Sequence, residues 1–589
     1  MQDWPQRLRA PDGFNHTLFM TALDYLVLLS TIVGIAVYGV WRTRAPGSLN
    51  SYLRGDEATG WGTIGLSVMA TQASAITFLS TPGQGYESGI GFVQNYFGMP
   101  LALIIIAAVF LPMYRRLKVY TAYEFLGRRF DAKTRLLGAG LFLLQRGLAA
   151  GLTIYAPAII VSTVLGWPLQ PTILFSGILV VLYTVSGGSE AVNLTQKYQM
   201  AVILLGMVAA FVILILKMPH WLGFGDMLRV AGGMGKLKAV DFSLDYHRRY
   251  TLWSGVLGGV FLSLSYFGTD QSQVQRYLAG SSLRESRLGL MFNAVLKIPM
   301  QFFILLLGAL VFVFYQFEKP PIFFNQAVWQ AHAHGKTGAE LRSLSRQFEV
   351  VHTEKEKRIR AWLDARHLDD GPAATAARAK VLEAQERSNK LIEQTKAALT
   401  ASDPNAPTTD ADYVFITFVL DYLPHGVIGL LIAVIFAAGL SSSSAELNSL
   451  GSTTAVDIYK HVVRRQASDG HYVAASRWFT ALWGFIAVGF ALFANLVENL
   501  IQAVNIVGSV FYGVMLGIFL VAFFLKRVGG TAVFFGALIA EALVLTGYFT
   551  LNIGYLWYNL IGCAACILLS LAFEAALGSG TPSAADGPA

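Results

Sequence analysis

The sequence predicts an all-α polytopic membrane protein with about thirteen transmembrane helices. Hydrophobic residues make up 54% of the 589 residues and charged residues only 14%, whereas about a quarter of the residues in a soluble domain are charged. Most charges lie in a few loops and one long segment, and the apolar runs between them reach the roughly 20 residues that a helix needs to cross a bilayer. Lys and Arg follow every second run, which is the pattern of loops that alternate between two sides of a membrane.

The apolar runs give the predicted crossings in order. The N-terminal segment 1–21 is polar and lacks the apolar core and cleavage site of a signal peptide, so the first run is expected to remain as a helix. The last segment, 576–589, is mostly Gly, Ser, Pro and Ala and is expected to be a disordered cytoplasmic tail. The predicted crossings are 22–41, 61–81, 89–113, 134–165, 170–187, 191–217, 251–277, 288–315, 425–459, 472–496, 499–525, 530–550 and 554–575.

The distribution of basic residues predicts the orientation. The loop after the third crossing is rich in Lys and Arg, whereas the short loops 82–88, 166–169, 497–498 and 551–553 contain neither. Because basic loops stay in the cytoplasm, we expect a bacterial inner-membrane protein with a periplasmic N-terminus and a cytoplasmic C-terminus. These loops also explain the formal net charge of +8, so no nucleic-acid partner is predicted.

Residues 318–412 interrupt the alternation of apolar runs. They separate eight crossings within 22–317 from five within 413–575, and their central part is rich in helix formers divided by Asp369-Asp370-Gly371-Pro372. This composition predicts a helical hairpin in the periplasm. Two interpretations stay open: a solvated addition to the membrane core, or a segment 319–412 that docks a periplasmic partner or acts as a lid.

The sequence does not favour a membrane enzyme. Cys563 and Cys566 have the spacing of a metal or redox site, but they lie in the last apolar run with no His or further Cys nearby, so we interpret them as packing residues. None of the ten histidines lies at the centre of an apolar run, and no pair of acids stands out as a general acid and base.

Two crossings contain residues typical of a broken helix. Small and polar residues crowd the middle of 61–81 and the end of 251–277, where unwound backbone can offer carbonyl oxygens to cations near the membrane midplane. These crossings are the second and the seventh, and the interval of five predicts two inverted repeats of five helices, beginning near 61 and near 251, with one helix before them and two after. The alternative is that the small residues are helix-packing seams.

A run of hydroxyls, Ser441–Ser444, lies in the ninth crossing. Hard cations prefer oxygen ligands, so adjacent serines on one helix and freed carbonyls on its neighbour could bind sodium. Serines are also common packing residues in membrane helices, so the run alone is a weak signal.

Several short stretches occur in order on the predicted elements. They are Ser74-Ala75 with Phe78, Val119–Leu126 with Arg129-Phe130, Tyr183–Gly188 with Ala191-Val192, Gln275-Arg276, and Leu447–Ser449 with Asp457–Tyr459. Together these stretches resemble the sodium/solute symporter family, which has the LeuT-type fold. The resemblance covers roughly 50–317 and 413–527, and it implies sodium-coupled import of a small organic solute by alternating access, with Na⁺ as the coupling ion. Ile154–Ala158 and Val274–Leu278 resemble the branch that carries monocarboxylates, carboxylate-bearing vitamins and iodide.

The resemblance implies a sodium site and a second polar position near it. The sodium ligands would be backbone carbonyls of Ala70, Ala73 and Ala438 and the hydroxyls of Ser441 and Ser442. Where the family has an acid after the Thr of crossing 191–217, this sequence has Gln196. Glu446 lies one turn beyond Ser442 on the same helix, so we predict that the charge has moved there and that Gln196, Ser444 and Glu446 form a second cation site or an exit path. A simple ion pair between Glu446 and Arg146 is the alternative.

The substrate is expected between the two broken helices. Ionisable groups inside membrane helices cost about 2.5–3.5 kcal/mol on insertion scales, so each needs a reason. Arg146 can bind a carboxylate with its planar fork, although it could equally pair with an acid. Lys297 matches a lysine of sugar carriers, so a sugar or sugar acid remains an alternative substrate, and a membrane sensor built on a symporter-like body remains an alternative of another class. The predicted substrate-binding residues are Gln72, Thr77, Tyr96, Arg146, Phe267, Asp270 and Lys297.

Overall fold

The computed structural model describes most of the chain, and its regular elements in that part are helices. The side chains of 35–42, 186–195, 197 and 198 are not described, and the predicted tail beyond residue 577 lies outside the described residues, as do most of 1–21. The described residues are 20–42, 60–117, 119, 121–333, 335, 337–404, 406–493 and 498–577.

The first half of the chain forms seven helices before a short connecting helix. Thr121 and Asp131 begin the fifth and sixth of them with N-cap hydrogen bonds, from Glu124 N–H at 3.2 Å and Thr134 N–H at 2.9 Å. The helices are α1 (Ala22–Arg42), α2 (Trp61–Gln72), α3 (Ala75–Ser88), α4 (Met99–Ile105, continued by a π-helical turn, Ile106–Phe110, to Leu111–Leu117), α5 (Ala122–Arg129), α6 (Ala132–Leu165) and α7 (Leu169–Lys217); the connecting helix is α8 (Phe224–Gly233).

In the second half of the chain, as in the first, an interrupted helix is followed by a long apolar helix. A π-helical turn, Ser254–Gly258, leads into the first helix of this half, and another, Thr454–Val463, extends α16. The helices are α9 (Gly259–Gly268), α10 (Gln271–Leu278), α11 (Leu283–Phe317), α12 (Gln326–Ala333), α13 (Gly338–His367), α14 (Gly371–Ser402), α15 (Ala411–Tyr422), α16 (Val427–Thr453), α17 (Asp469–Phe493), α18 (Leu500–Phe524), α19 (Gly530–Thr550) and α20 (Leu556–Leu577).

The architecture is that of a polytopic helical membrane protein, as predicted. Nine spans of the described chain are long and apolar enough to cross a membrane, and three shorter apolar segments accompany them. The all-α fold class is therefore confirmed, while the count of thirteen crossings stays a prediction.

One pair of predicted crossings has a different form. The sequence predicts separate crossings at 170–187 and 191–217, divided by Gly187-Gly188, but α7 runs from Leu169 to Lys217 as one helix of 49 residues. At about 1.5 Å per residue this helix extends about 74 Å, more than twice a typical hydrocarbon core. Gly is permitted inside a helix at a cost of about 1 kcal/mol, so the Gly pair does not by itself end the helix.

Both helices predicted to be broken are broken. Ala73 leaves helical geometry at φ −88° and ψ 68°, which ends α2, and extended Ser74 begins α3. In the second repeat Thr269 ends α9, and the Asp270 carboxylate begins α10 by accepting the Ser272 N–H at 2.9 Å. The breaks fall where small and polar residues replace the apolar side chains that would favour a continuous membrane helix.

The long helix α11 runs alongside both halves of the first broken helix. On α2, a Cβ at Gly65 would overlap the Phe292 side chain, and on α3, a Cβ at Gly85 would overlap the Leu305 carbonyl. Such close approach requires glycine at these points. Pro299 lies inside α11, where it removes one helical hydrogen bond.

The insertion consists of the antiparallel helices α13 and α14 and the short helix α12. Asp369, in the left-handed region at φ 58°, lies in the turn between α13 and α14. Trp362 covers Gly233 of α8, and the His352 ring nitrogen Nε2 lies 2.9 Å from the Tyr315 carbonyl oxygen at the end of α11. The insertion is therefore packed against the membrane helices through buried side chains.

Candidate functional site

The predicted sodium ligands lie on two elements that touch. Because α2 stops at Gln72, its last carbonyls lack the amide partners that a continuing helix would supply. A Cβ built on Gly439 would lie 3.1 Å from the Ala75 Cβ, so α16 packs directly against the first residue of α3. Ala438, Ser441 and Ser442 are thus near the break, and all three are buried.

The two predicted sodium-binding hydroxyls each donate a hydrogen bond. Ser441 Oγ donates to Gln199 Oε1 of α7 at 2.9 Å, and Ser442 Oγ donates to the Ala438 carbonyl at 2.6 Å. In both serines the oxygen lone pairs remain free to accept a cation. Neutral hydroxyl and carbonyl oxygens in a buried setting fit a hard monovalent cation.

Gln196 is bound to α2 rather than to Glu446. Its Oε1 accepts the Ser67 hydroxyl at 2.9 Å, and its amide nitrogen lies 3.5 Å from Thr71 Oγ1. Ser444 Oγ is buried without a hydrogen-bond partner in the described part of the chain. No hydrogen bond between described residues joins Gln196 to Glu446, so the second cation site stays a prediction.

Arg146, Asp270 and Glu446 form one buried cluster with Tyr512. The Arg146 guanidinium contacts the Asp270 carboxylate, its Nη1 lies 3.1 Å from Glu446 Oε1, and its Nη2 lies 2.7 Å from the Tyr512 hydroxyl. The Tyr512 hydroxyl in turn donates to Asp270 at 3.1 Å. The cluster holds one cation and two carboxylates, so its formal charge is −1, and it joins α6, α10, α16 and α18.

A central cavity of about 80 Å³ lies between the two broken helices. Five of the seven predicted substrate residues line it: Gln72, Thr77, Tyr96, Arg146 and Phe267. Glu446 and Tyr512 line it as well, so the charged cluster forms part of its wall. The volume suffices for a few water molecules, so a larger solute requires the lining side chains or helices to move.

The two remaining predicted residues lie outside the cavity wall. Asp270 is fully buried in the charged cluster. Lys297 of α11 is also fully buried, and its Nζ lies 5.3 Å from the centre of the Tyr96 ring, whose residue lines the cavity. Lys297 is therefore separated from the cavity by a single aromatic ring.

Lys297 Nζ has no hydrogen-bond partner among the described residues. Both side-chain polar atoms of Asn293, one turn earlier on α11, are also buried without a hydrogen-bond partner among these residues. The same holds for the Oε1 atom of Gln72. Buried polar groups are normally paired, and a buried ammonium without a counter-ion is costly. These groups could therefore form hydrogen bonds with a bound ligand.

Sequence reasoning missed Tyr512 and Asn293. Tyr512 is an isolated polar side chain in an apolar run, and nothing in its neighbourhood distinguishes it from a packing residue. Asn293 could have been found, since it lies four residues before Lys297 and thus on the same helix face.

Comparison with known proteins places the chain in a family. The profile of the Sodium:solute symporter family matches residues 52–333 and 397–540. The chain is 31% identical to the mouse sodium-coupled monocarboxylate transporter 2 over 275 residues, which are 46% of this chain and 44% of that protein. It is 27% identical to the rabbit sodium-dependent multivitamin transporter over 524 residues, 87% of this chain and 68% of that protein. The matched part thus spans less than half the length of the mouse relative.

A solved structure shares the fold. A Na⁺-coupled sialic acid symporter, solved in a substrate-bound outward-open state, superposes with a TM-score of 0.72 at 21% sequence identity, covering 96% of this chain and all of that one. At this identity the likeness concerns the fold, and it confirms the predicted LeuT-type architecture. The relatives are transporters rather than enzymes, as predicted, and the chain belongs to the Sodium:solute symporter family.

Proposed function

We propose that the protein is a sodium-coupled symporter that imports a small organic solute bearing a carboxylate. The observation that carries this proposal is the buried amino group of Lys297, which has no hydrogen-bond partner among the described residues and lies near a cavity between the two broken helices. The membrane would be a bacterial inner membrane, with the N-terminus in the periplasm, the C-terminus in the cytoplasm and the insertion on the periplasmic side.

Sodium would bind at the break in the first repeat. The buried hydroxyls of Ser441 and Ser442 and the carbonyl of Ala438 supply oxygens from α16, and the carbonyls of Ala70 and Ala73 supply oxygens from α2. A cation held between these two elements favours the conformation in which they are close. The site thus links ion occupancy to the arrangement of the broken helix that also lines the solute cavity.

Lys297, rather than Arg146, would bind the solute carboxylate. Arg146 already contacts two carboxylates and the Tyr512 hydroxyl, so the cluster has no positive charge left for an anion. A lysine ammonium has three donor hydrogens, and Lys297 Nζ has no hydrogen-bond partner within the described chain and lies 5.3 Å from the centre of the Tyr96 ring. The solute would displace that ring and pair its carboxylate with the ammonium, as a buried cation requires.

Import would follow from alternating access. Ion and solute bind at the two helix breaks, and the repeats then move relative to one another so that the same sites open to the other side. The charged cluster of Arg146, Asp270 and Glu446 holds α6, α10 and α16 together beside the cavity. It would keep the cavity wall assembled while the rest of the repeat moves.

Uptake into proteoliposomes tests the proposal. Labelled pyruvate, nicotinate, N-acetylneuraminate and glucose would be offered under an inward sodium gradient or an equal potassium gradient. We expect sodium-driven accumulation of a carboxylate, loss of that uptake in Lys297→Met, and normal uptake in Lys526→Met, which alters an exposed lysine in a loop.

Three outcomes would contradict the proposal in different ways. Uptake of glucose alone would favour the sugar carrier, and uptake unaffected by Lys297→Met would exclude Lys297 as the carboxylate contact. Sodium-dependent binding without any accumulation inside the vesicles would favour a sensor.

A further inference from the structure

A second cavity lies between the insertion and the membrane helices. We name it the insertion cavity; its walls are α12 and α13, the segment 319–327, and the ends of α6, α11 and α15. Its volume is about 640 Å³, which is within the range of about 300–1,000 Å³ typical of small-molecule sites. The central cavity is about 80 Å³, so the insertion cavity is the larger of the two.

Aromatic rings form much of the wall of the insertion cavity. Trp329 of α12 and Phe348 of α13 line the insertion side, and Tyr413 and Tyr422 of α15 line the membrane side. Phe348 and Tyr413 are buried, while Trp329 and Tyr422 are half-buried. Aromatic rings on both sides of the cavity form a slot for an apolar ligand, and in particular for an aromatic ring.

The wall also carries an excess of positive charge. Lys319 and Glu349 neutralise one another through an ion pair of 2.6 Å. Arg342 and Arg346 lie one turn apart on α13, against the single further acid Asp421, so the lining has a net charge of +1. Arg342 Nη1 is held by the Ala333 carbonyl at 2.5 Å, whereas Arg346 is exposed at the edge of the cavity and makes no hydrogen bond or ion pair with the described residues.

We propose that the insertion cavity is a second solute site, which binds a monocarboxylate with an aromatic body. The Arg346 guanidinium would pair with the carboxylate in bidentate fashion, which is the geometry a planar fork favours, and the ring would lie between Trp329 and Tyr413. The role of this site as a first stop for the imported solute rests on the proposed function, but binding itself does not.

The position of the cavity relates it to the transport helices. α15 forms its membrane-side wall, and the Ala411 carbonyl of α15 is so close to Gly83 of α3 that a Cβ there would overlap it. α3 begins at the break that lines the central cavity. A ligand against α15 therefore lies two packed helices from the central site.

Binding to the purified full-length protein in sodium-free buffer tests the proposal. The probes would be benzoate, phenylacetate and 4-phenylbutyrate, with 2-phenylethanol as an uncharged analogue of phenylacetate, and binding would be followed by calorimetry. We expect at least one acid to bind, 2-phenylethanol to bind more weakly, and Arg346→Gln to raise the dissociation constant about tenfold, or about 1.4 kcal/mol, because a charge-assisted hydrogen bond is lost.

Matched variants locate the bound acid. Arg366→Gln removes an exposed arginine from the same helix α13 outside the cavity and should leave binding unchanged. Thr417→Trp fills the cavity from α15 and should abolish binding without altering the charge. Lys297→Met should leave this sodium-free binding intact, even where it abolishes uptake.

The proposal is overturned if none of the three acids binds, or if 2-phenylethanol binds as tightly as phenylacetate. It is also overturned if Arg346→Gln and Arg366→Gln behave alike, or if Lys297→Met removes the binding, because the acid would then occupy the central site. Failure of sodium-driven uptake alone would contradict the proposed function and leave this site standing.

Discussion

Arg146 and Glu446 are joined by an ion pair of 3.1 Å, although 300 residues of chain separate them. Arg146 also contacts Asp270, so one guanidinium pairs with carboxylates from two different helices and leaves one negative charge in the cluster. Removing one partner of a buried charge pair is costly because the other charge remains buried. This arrangement makes the cluster sensitive to single substitutions that preserve size.

Glu446→Gln tests the cluster most directly. Arg146 keeps Asp270 as its counter-ion, so we expect a protein that folds with about 1–3 kcal/mol less stability and reduced sodium-driven uptake. Adding Gln196→Asp should not restore uptake, because Gln196 is hydrogen-bonded to Ser67 on α2 and not to Arg146. Thermal unfolding and proteoliposome uptake measure the two effects; full restoration by Gln196→Asp would instead support relocation of the charge from 196 to 446.

Ser441→Ala and Ser442→Ala should weaken the dependence of uptake on sodium. Each loses a buried oxygen and one hydrogen bond, at a cost of about 1 kcal/mol in stability. The sodium concentration for half-maximal uptake is expected to rise about tenfold or more in the double variant. Ser443→Ala is the matched control, since its buried hydroxyl makes no hydrogen bond in the described part of the chain; equal effects at 441, 442 and 443 would contradict the site.

Lys355 should make the stability of the insertion depend on pH. Burial, with the charge of Lys236, lowers the pKa of Lys355 from 10.5 to about 7. Between about pH 7 and 10.5 the unfolded insertion therefore binds more protons than the folded one, so stability should rise with pH across this window. Lys355→Met should lose this rise, whereas Lys357→Met, on the exposed face of the same helix, should keep it.

The thermal midpoint of the full chain, followed at several pH values from 7 to 10, measures this effect. The informative quantity is the slope with pH rather than the midpoint itself, because Lys355→Met also removes a hydrogen bond of 2.9 Å to Gln385. Identical slopes for Lys355→Met and Lys357→Met would show that Lys355 does not change its protonation on folding.

Gly308→Ala should disrupt the contact between α3 and α11. A Cβ at Gly308 would overlap the backbone carbonyl of Pro82, which cannot relieve the overlap by a change of side-chain rotamer. Overpacking of this kind costs about 3 kcal/mol, so we expect a clear fall in folded protein by size-exclusion chromatography. Gly489→Ala is the control, because no atom lies within 4 Å of a Cβ built there; equal behaviour of the two variants would contradict the close packing.

The helix breaks could be predicted from the sequence because they depend on local composition. The residues around Ala73 and Asp270 are small or polar in runs that are otherwise apolar, and the structure breaks both helices there. Five of the seven substrate residues, predicted from the broken helices, the ionisable residues inside crossings and the family resemblance, line one cavity.

The pairing of charges was predicted only in part: the ion pair between Glu446 and Arg146 was one of two interpretations of Glu446, and the contact of Arg146 with Asp270 was not predicted. The sequence context of Arg146 is compatible with binding a solute and with pairing with an acid. It does not distinguish the two roles, because the partners of Arg146 lie on helices that only the tertiary fold brings together. The sequence predicted two crossings divided at Gly187-Gly188, whereas α7 continues through this pair. Each Gly costs a helix about 1 kcal/mol, and contacts in the folded protein can offset this cost.

The course of α11 beside the broken helix has a mechanical consequence. α11 contacts α2 near Phe292 and α3 near Leu305, so it spans the break from one half to the other. Lys297 and Pro299 lie between these two contacts, and a proline inside a helix is a point of easy bending. Pro299 thus lies level with the break between α2 and α3, and bending of α11 at this proline would carry the side chain of Lys297 toward or away from the cavity.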